Sequence, residues 1–161
     1  TSSSKKPESK VEETMKELAE AIKEMERGRV LYERLGLLKT AEGMWHILNQ
    51  GGLLSDKVMM VKFKRAAADK EENTLEVAEK LYEEAFSIGK ELGIMRSEYY
   101  VKGKFAHGSM LMFLGRFNDA VDPLLAALSG LEALGMTDSH SYFNCCMFVH
   151  GSLSEADEKK D

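Results

Sequence analysis

From Val11 onward the apolar residues recur at three- and four-residue intervals. Met15, Leu18, Ala19, Ile22 and Met25 are followed by Val30, Leu31 and Leu35, the stripe of an amphipathic helix. Gly36 stops it. A shorter helix is expected over about 38–49, closed by Gly51-Gly52. Ser55 or Asp56 caps a third, with Val58, Met59, Val61, Phe63 and Ala66 on its apolar side, broken near Asn73. Thr74 opens a fourth that ends at Gly93, and Ser97 caps a fifth. Asn118 starts a sixth, with Pro123 in its first turns, where a missing donor is harmless. Asp138 or Ser139 caps the last, to about Ser154. Seven helices on short connections, without strand alternation, predict an all-α fold with neighbours antiparallel. The polar residues 1–10 read as a disordered arm, 11–154 as one domain and 155–161 as a charged, solvated tail.

The chain repeats itself. "KELGIMRS" ends at Ser97 and "EALGMTDS" at Ser139, 42 residues later. At the same spacing Ala78 matches Ala120, Tyr82 matches Leu124, Ala85 matches Ala127 and Tyr100 matches Tyr142. Phe-x-His-Gly-Ser occurs at Phe105 and again at Phe148, one residue out of step. Self-similarity at a fixed period marks a helical array. Small residues at the crossings let helix axes approach to the short end of about 8–10 Å, so Gly108 and Gly151 are expected to serve close packing.

These positions resemble the tetratricopeptide repeat. In "HGSMLMFLGRFNDAVDPLLAAL", Gly108 stands at the small position of a first helix and Leu111 at the large one. Gly115 stands at the turn, and Ala120, Leu124 and Ala127 follow on the second helix. The family's proline at the repeat end is absent, with Glu132 in its place. A second unit offers Ala66, Asn73, Ala78, Tyr82 and Ala85, and a degenerate first unit offers Gly28, Leu31, Ala41 and Trp45. The long period is similar to the kinesin light chain branch. The resemblance implies a hairpin solenoid of about three repeats with a C-terminal capping helix. Its first helices would line a concave groove for a partner helix or peptide. Carried over residue by residue, that groove holds Met25, Arg29, Phe63, Lys102, Phe105, Ser109, Met112, Phe113 and Phe148, with Ile22, Tyr32, Met60, Ala67, Lys70, Cys145 and Ser152 nearby. The cationic clamp that some members use on chaperone tails is missing: Phe63, Ala67, Phe105 and Ser109 stand where its Lys, Asn and Arg belong.

Composition narrows the function classes. Hydrophobic residues are 43% and charged residues 30%, with a net charge of −5, which disfavours a nucleic-acid partner. No apolar run approaches the ~20 residues of a membrane span. The adjacent Cys145 and Cys146 cannot staple distant segments, which points to reducing, intracellular and cytoplasmic surroundings. A chain beginning at Thr1 reads as a processed or excised piece. The four histidines, His46, His107, His140 and His150, stand in no nucleophile–acid motif. Cys146 and His150 share a helix face but lack two further zinc ligands nearby. "KFKRAAADK", with Lys62, Lys64 and Arg65, and "EKLYEEAF", with Glu79, Glu83 and Glu84, read as solvated faces. The expectation is a non-catalytic protein-binding module without cofactor or metal. The alternative is a helical bundle that forms a homodimer or packs as a subunit.

Overall fold

The computed structural model describes residues 7–64 and 72–158, with side chains over 12–61 and 73–156. The described residues form six helices and no strand: α1 Pro7–Arg34, α2 Ala41–Lys64, α3 Glu72–Glu91, α4 Glu98–Phe113, α5 Phe117–Ala133 and α6 His140–Glu158. The all-α expectation holds. Helix α1 begins inside the stretch expected to be a disordered arm. Proline suits a first helical position, where its N–H would have no partner anyway. Helix α6 likewise runs on into the expected tail and buries Ala156. Helix α5 starts at Phe117, so Pro123 lies beyond its first turn.

Three connections are copies of one turn. Gly36, Gly93 and Gly135 take φ of 69°, 69° and 68°, a left-handed conformation open to glycine. The next residue's N–H reaches back five positions: Leu37 to the Tyr32 carbonyl at 2.8 Å, Ile94 to Gly89 at 3.0 Å and Met136 to Leu131 at 2.9 Å. A hydroxyl then caps the following helix. Thr40 accepts from the Gly43 N–H at 3.1 Å, Ser97 from Tyr100 at 3.3 Å and Ser139 from Tyr142 at 3.1 Å. The turn makes α1, α3 and α5 equivalent to one another, and α2, α4 and α6 likewise. Helix α1 was expected to be a first helix; it is of the second type.

Counted from their caps, Gly51 in α2 and Gly108 in α4 hold the same place. A Cβ on Gly108 would lie 2.6 Å from Leu124 Cγ, and one on Gly51 would lie 3.5 Å from the Tyr82 ring. Leu124 and Tyr82 are themselves a 42-residue pair. The two glycines read as a helix end therefore sit inside α2, where the buried Tyr82 occupies the space of a side chain. The small residue opposite Tyr82 is Gly51; Ala66 lies outside the described residues. Gly108, Ala120 and Ala127 are buried. Gly151, expected to pack closely too, has nothing within 4 Å of a Cβ.

Helix α2 packs on α3, α4 on α5, and α4 touches both α2 and α6. The α2–α4 approach is close: a Cβ on Gly103 would lie 2.6 Å from Leu48 Cδ2. A continuous core runs from Ile22, Met44 and Ile47 through Tyr82 and Phe86 to Met110, Leu124 and Val149. A capping helix has a polar outer face; α6 instead exposes Phe143, Met147 and Leu153.

Candidate functional site

Helices α1, α2 and the end of α4 border a groove of about 700 Å³. Its floor is apolar: Leu18 and Ala21 from α1, Leu53, Met59 and Met60 from α2, and Phe113 from α4. Glu17 and Asp56 stand at its rim. Asp56 and Met59 also line a smaller recess of about 360 Å³, with Gly52, Ser55, Phe105, Ser109 and Phe148. The two depressions therefore meet along one ridge of α2. Among the described residues Asp56 has no hydrogen-bond or ion-pair partner. Partial burial pushes its carboxyl above the usual carboxylate range.

The structure does not bring the predicted groove residues together as one set. Phe105, Ser109 and Phe148 come together in the smaller recess. The Phe105 and Phe148 rings stack with centroids 5.5 Å apart, and Ser109 Oγ donates to the Phe105 carbonyl at 2.7 Å. Phe113 meets Phe148 edge-on at 5.7 Å and stays 41% exposed on the larger groove. Met112 packs against the core. Met25, Arg29 and Lys102 line neither depression. The Met25 carbonyl accepts from His46 Nε2 at 2.8 Å. Arg29 Nη2 holds both Glu84 oxygens at 2.8 and 2.9 Å, and Lys102 pairs with Glu98 at 2.6 Å. The Phe63 backbone belongs to α2, and its side chain lies outside the described residues, as do Ala67 and Lys70. Of the nearby expectations, Met60 lines the groove. Ile22, Cys145 and Ser152 are buried, and Tyr32 stacks on His46 with centroids 5.0 Å apart.

Sequence reasoning missed Leu18, Ala21, Leu53, Asp56 and Met59 as lining. The available signal was Thr40, the third copy of the capping hydroxyl. Registered from it, α2 is one helix and these α2 residues fall in its second half.

The candidate chemical groups have other employment. His107 is stacked on Tyr82 at 4.9 Å and beside Phe86 at 5.9 Å. Burial, with Lys104 and Arg116 nearby, lowers its pKa to about 4. His46 is held by α1, and His150 is exposed. Cys145 is a buried thiol that donates to the Leu124 carbonyl at 3.3 Å; burial and Cys146 push it up to about 11. Among the described residues no three His, Cys, Asp or Glu side chains gather as a metal site would need. No described helix is long and apolar enough to cross a membrane. Searches against protein-family models, curated proteins and solved structures find no match to the chain.

Proposed function

We propose that this chain is a tetratricopeptide-like, non-catalytic interaction module that holds an amphipathic helix of a partner protein in the α1–α2 groove. The observation that carries the reading is the groove itself: a largely apolar lining from α1, α2 and α4 that also carries two carboxylates, Glu17 and Asp56. The repeat geometry supports a helical occupant. Met25 on α1 is the equivalent of Tyr82 on α3 and Leu124 on α5. Tyr82 lies against α2 at Gly51, and Leu124 lies against α4 at Gly108. On α1 the groove opens beside Ala21, the equivalent of Ala78 and Ala120. Met59 and Met60 adapt to differently shaped apolar side chains. Glu17 and Asp56, with no cation among the described lining residues, favour a partner helix flanked by Lys or Arg. The free thiols of Cys145 and Cys146 fit a reducing, intracellular setting.

The test is fluorescence anisotropy with a synthetic helix of roughly 18 residues, about five turns, carrying a Leu/Met face and Lys flanks. The expected result is saturable binding that Met60→Glu abolishes without loss of helical content. The same peptide with Glu flanks is expected to bind at least about tenfold more weakly, equivalent to about 1.4 kcal/mol. No saturable binding, or equal binding by Met60→Glu, contradicts the reading.

A further inference from the structure

The smaller recess carries chemistry that the groove beside it does not. Asp56 on α2, Ser109 on α4 and Asn144 on α6 all line it. Asp56 brings a carboxylate without a partner among the described residues. Ser109 Oγ gives its proton to the Phe105 carbonyl at 2.7 Å, so its remaining capacity is to accept. The half-buried Asn144 amide has no hydrogen bond among the described residues. Phe105, Phe148, Met59 and Tyr82 stand around these three groups. Tyr82 stays a neutral phenol. Burial pushes its hydroxyl up to about 12, against a hydrogen bond from Ser55, and the Asp56 carboxylate adds to the rise. The charge of Asp56 is therefore felt inside the recess. No other fixed charge stands among the described lining residues, and Lys57, next on α2, lines neither depression.

These features converge on a primary ammonium. It has three N–H donors and no acceptor, to set against acceptors on three helices. A compact ammonium suits acceptors from several directions better than a planar guanidinium fork does. Its charge answers the carboxylate, and phenyl rings attract a nearby cation. A carboxylate or phosphate would face Asp56 instead, and a purely apolar group would leave Asp56 and Asn144 without partners. We propose that the recess binds a primary alkylammonium group, with Asp56, Ser109 and Asn144 around the nitrogen and Phe105 and Phe148 against its carbon stem. A lysine of the helix in the groove is one source, because Asp56 and Met59 line both depressions; a free alkylamine is the other. As a contact of that helix the site rests on the groove reading, and as an ammonium site it stands without it.

The Asn144 side-chain NH2 signals of the whole chain, read by NMR, test the proposal, because Asn144 lines the recess and not the groove. In the first arm butylammonium is titrated to about 50 mM, a range suited to so small a ligand, against sodium at equal ionic strength and against butanol, its neutral counterpart. Saturable shifts with butylammonium alone are expected, at least about threefold weaker in Asp56→Asn. In the second arm the lysines of the Lys-flanked helix are replaced one at a time by norleucine, which keeps the stem and drops the charge. One replacement is expected to weaken binding to the wild type at least about tenfold, and to Asp56→Asn less than about threefold. Asn144→Ala, away from the groove, should also reduce that ratio. Circular dichroism checks that both variants keep their helices. A lysine that matters, with Asn144 shifted, assigns the site to the partner helix. Butylammonium shifts with every lysine dispensable assign it to a free amine. Butylammonium shifts with no helix bound keep the recess and overturn the groove reading. Asn144 unmoved in both arms, or moved alike by butanol and butylammonium, overturns the proposal, and a helix still bound then leaves the groove reading standing.

Discussion

Helices α4 and α6 start from the same turn, the same capping serine and the same tyrosine three residues on. They differ in what lies against one stripe. On α4, Gly108 admits Leu124, and Val101, Gly108 and Leu111 are buried. On α6, the same helical places, Phe143, His150 and Leu153, are exposed, and the neighbouring Gly151 has open space beside it. The lesson is that a repeated pattern fixes which face of a helix is apolar, while the presence of a neighbour decides whether that face is buried or exposed. Substitutions at paired positions should therefore diverge sharply.

The largest divergence is expected between Leu111 and Leu153. Leu111→Ala removes a side chain that is only 2% exposed and should cost about 2–5 kcal/mol. Leu153→Ala, at a site 44% exposed, should stay within about 0.5 kcal/mol. Urea unfolding measures both; equal costs would break the comparison.

The next contrast is between His107 and Val149, which occupy the same inward place 42 residues apart. The folded state holds the His107 pKa at about 4, below its ordinary value of 6.5. The unfolded chain therefore takes up this proton first. Stability is full above about pH 6.5 and falls as pH drops towards 4, by at most roughly 3 kcal/mol. His107→Val should flatten that part of the pH–stability profile, and an unchanged profile would place the acid sensitivity elsewhere.

Glycine substitutions come third. Gly108→Ala forces its new methyl into Leu124 and should cost about 1–3 kcal/mol. Gly151→Ala meets open space and should stabilise the helix by about 0.5–1 kcal/mol. Thermal melts that moved in the same direction for both would remove the distinction.

The smallest effect belongs to Asp56. Its raised pKa means that ionisation costs the folded state as pH rises past the usual carboxylate value of about 3.9. Asp56→Asn should then be slightly more stable at neutral pH, by under about 0.5 kcal/mol after solvent screening. It should also weaken capture of a Lys-flanked helix. Stability and capture falling together would mean that Asp56 serves the fold.

The last four helices were legible in the sequence because their ends carry their own chemistry: Gly93 and Gly135 in the left-handed conformation, and Ser97 and Ser139 as caps. The tetratricopeptide resemblance also put Gly108 and Leu124 at packing positions of neighbouring helices, where the structure sets them against each other. The first half was harder for one reason. Adjacent glycines inside α2 mimic a helix end, and only Tyr82, 31 residues beyond Gly51, explains why they belong in mid-helix. Cutting α2 there moved the second unit's small position 15 residues, from Gly51 to Ala66. Phe63 was thereby promoted, and Leu53, Asp56 and Met59 were passed over. Arg29 and Lys102 were read as groove cations because sequence does not show that Glu84 and Glu98 engage them.

The central claim is that the α1–α2 groove receives a cationic helix. Methyl-labelled methionine NMR tests it most directly, because the chain's ten methionines include Met59 and Met60 in the groove and Met147 on α6. Titration with the Lys-flanked peptide should shift the Met59 and Met60 methyl signals and leave Met147 in place. Peptide-induced shifts at Met147 with Met59 and Met60 unmoved would contradict the account.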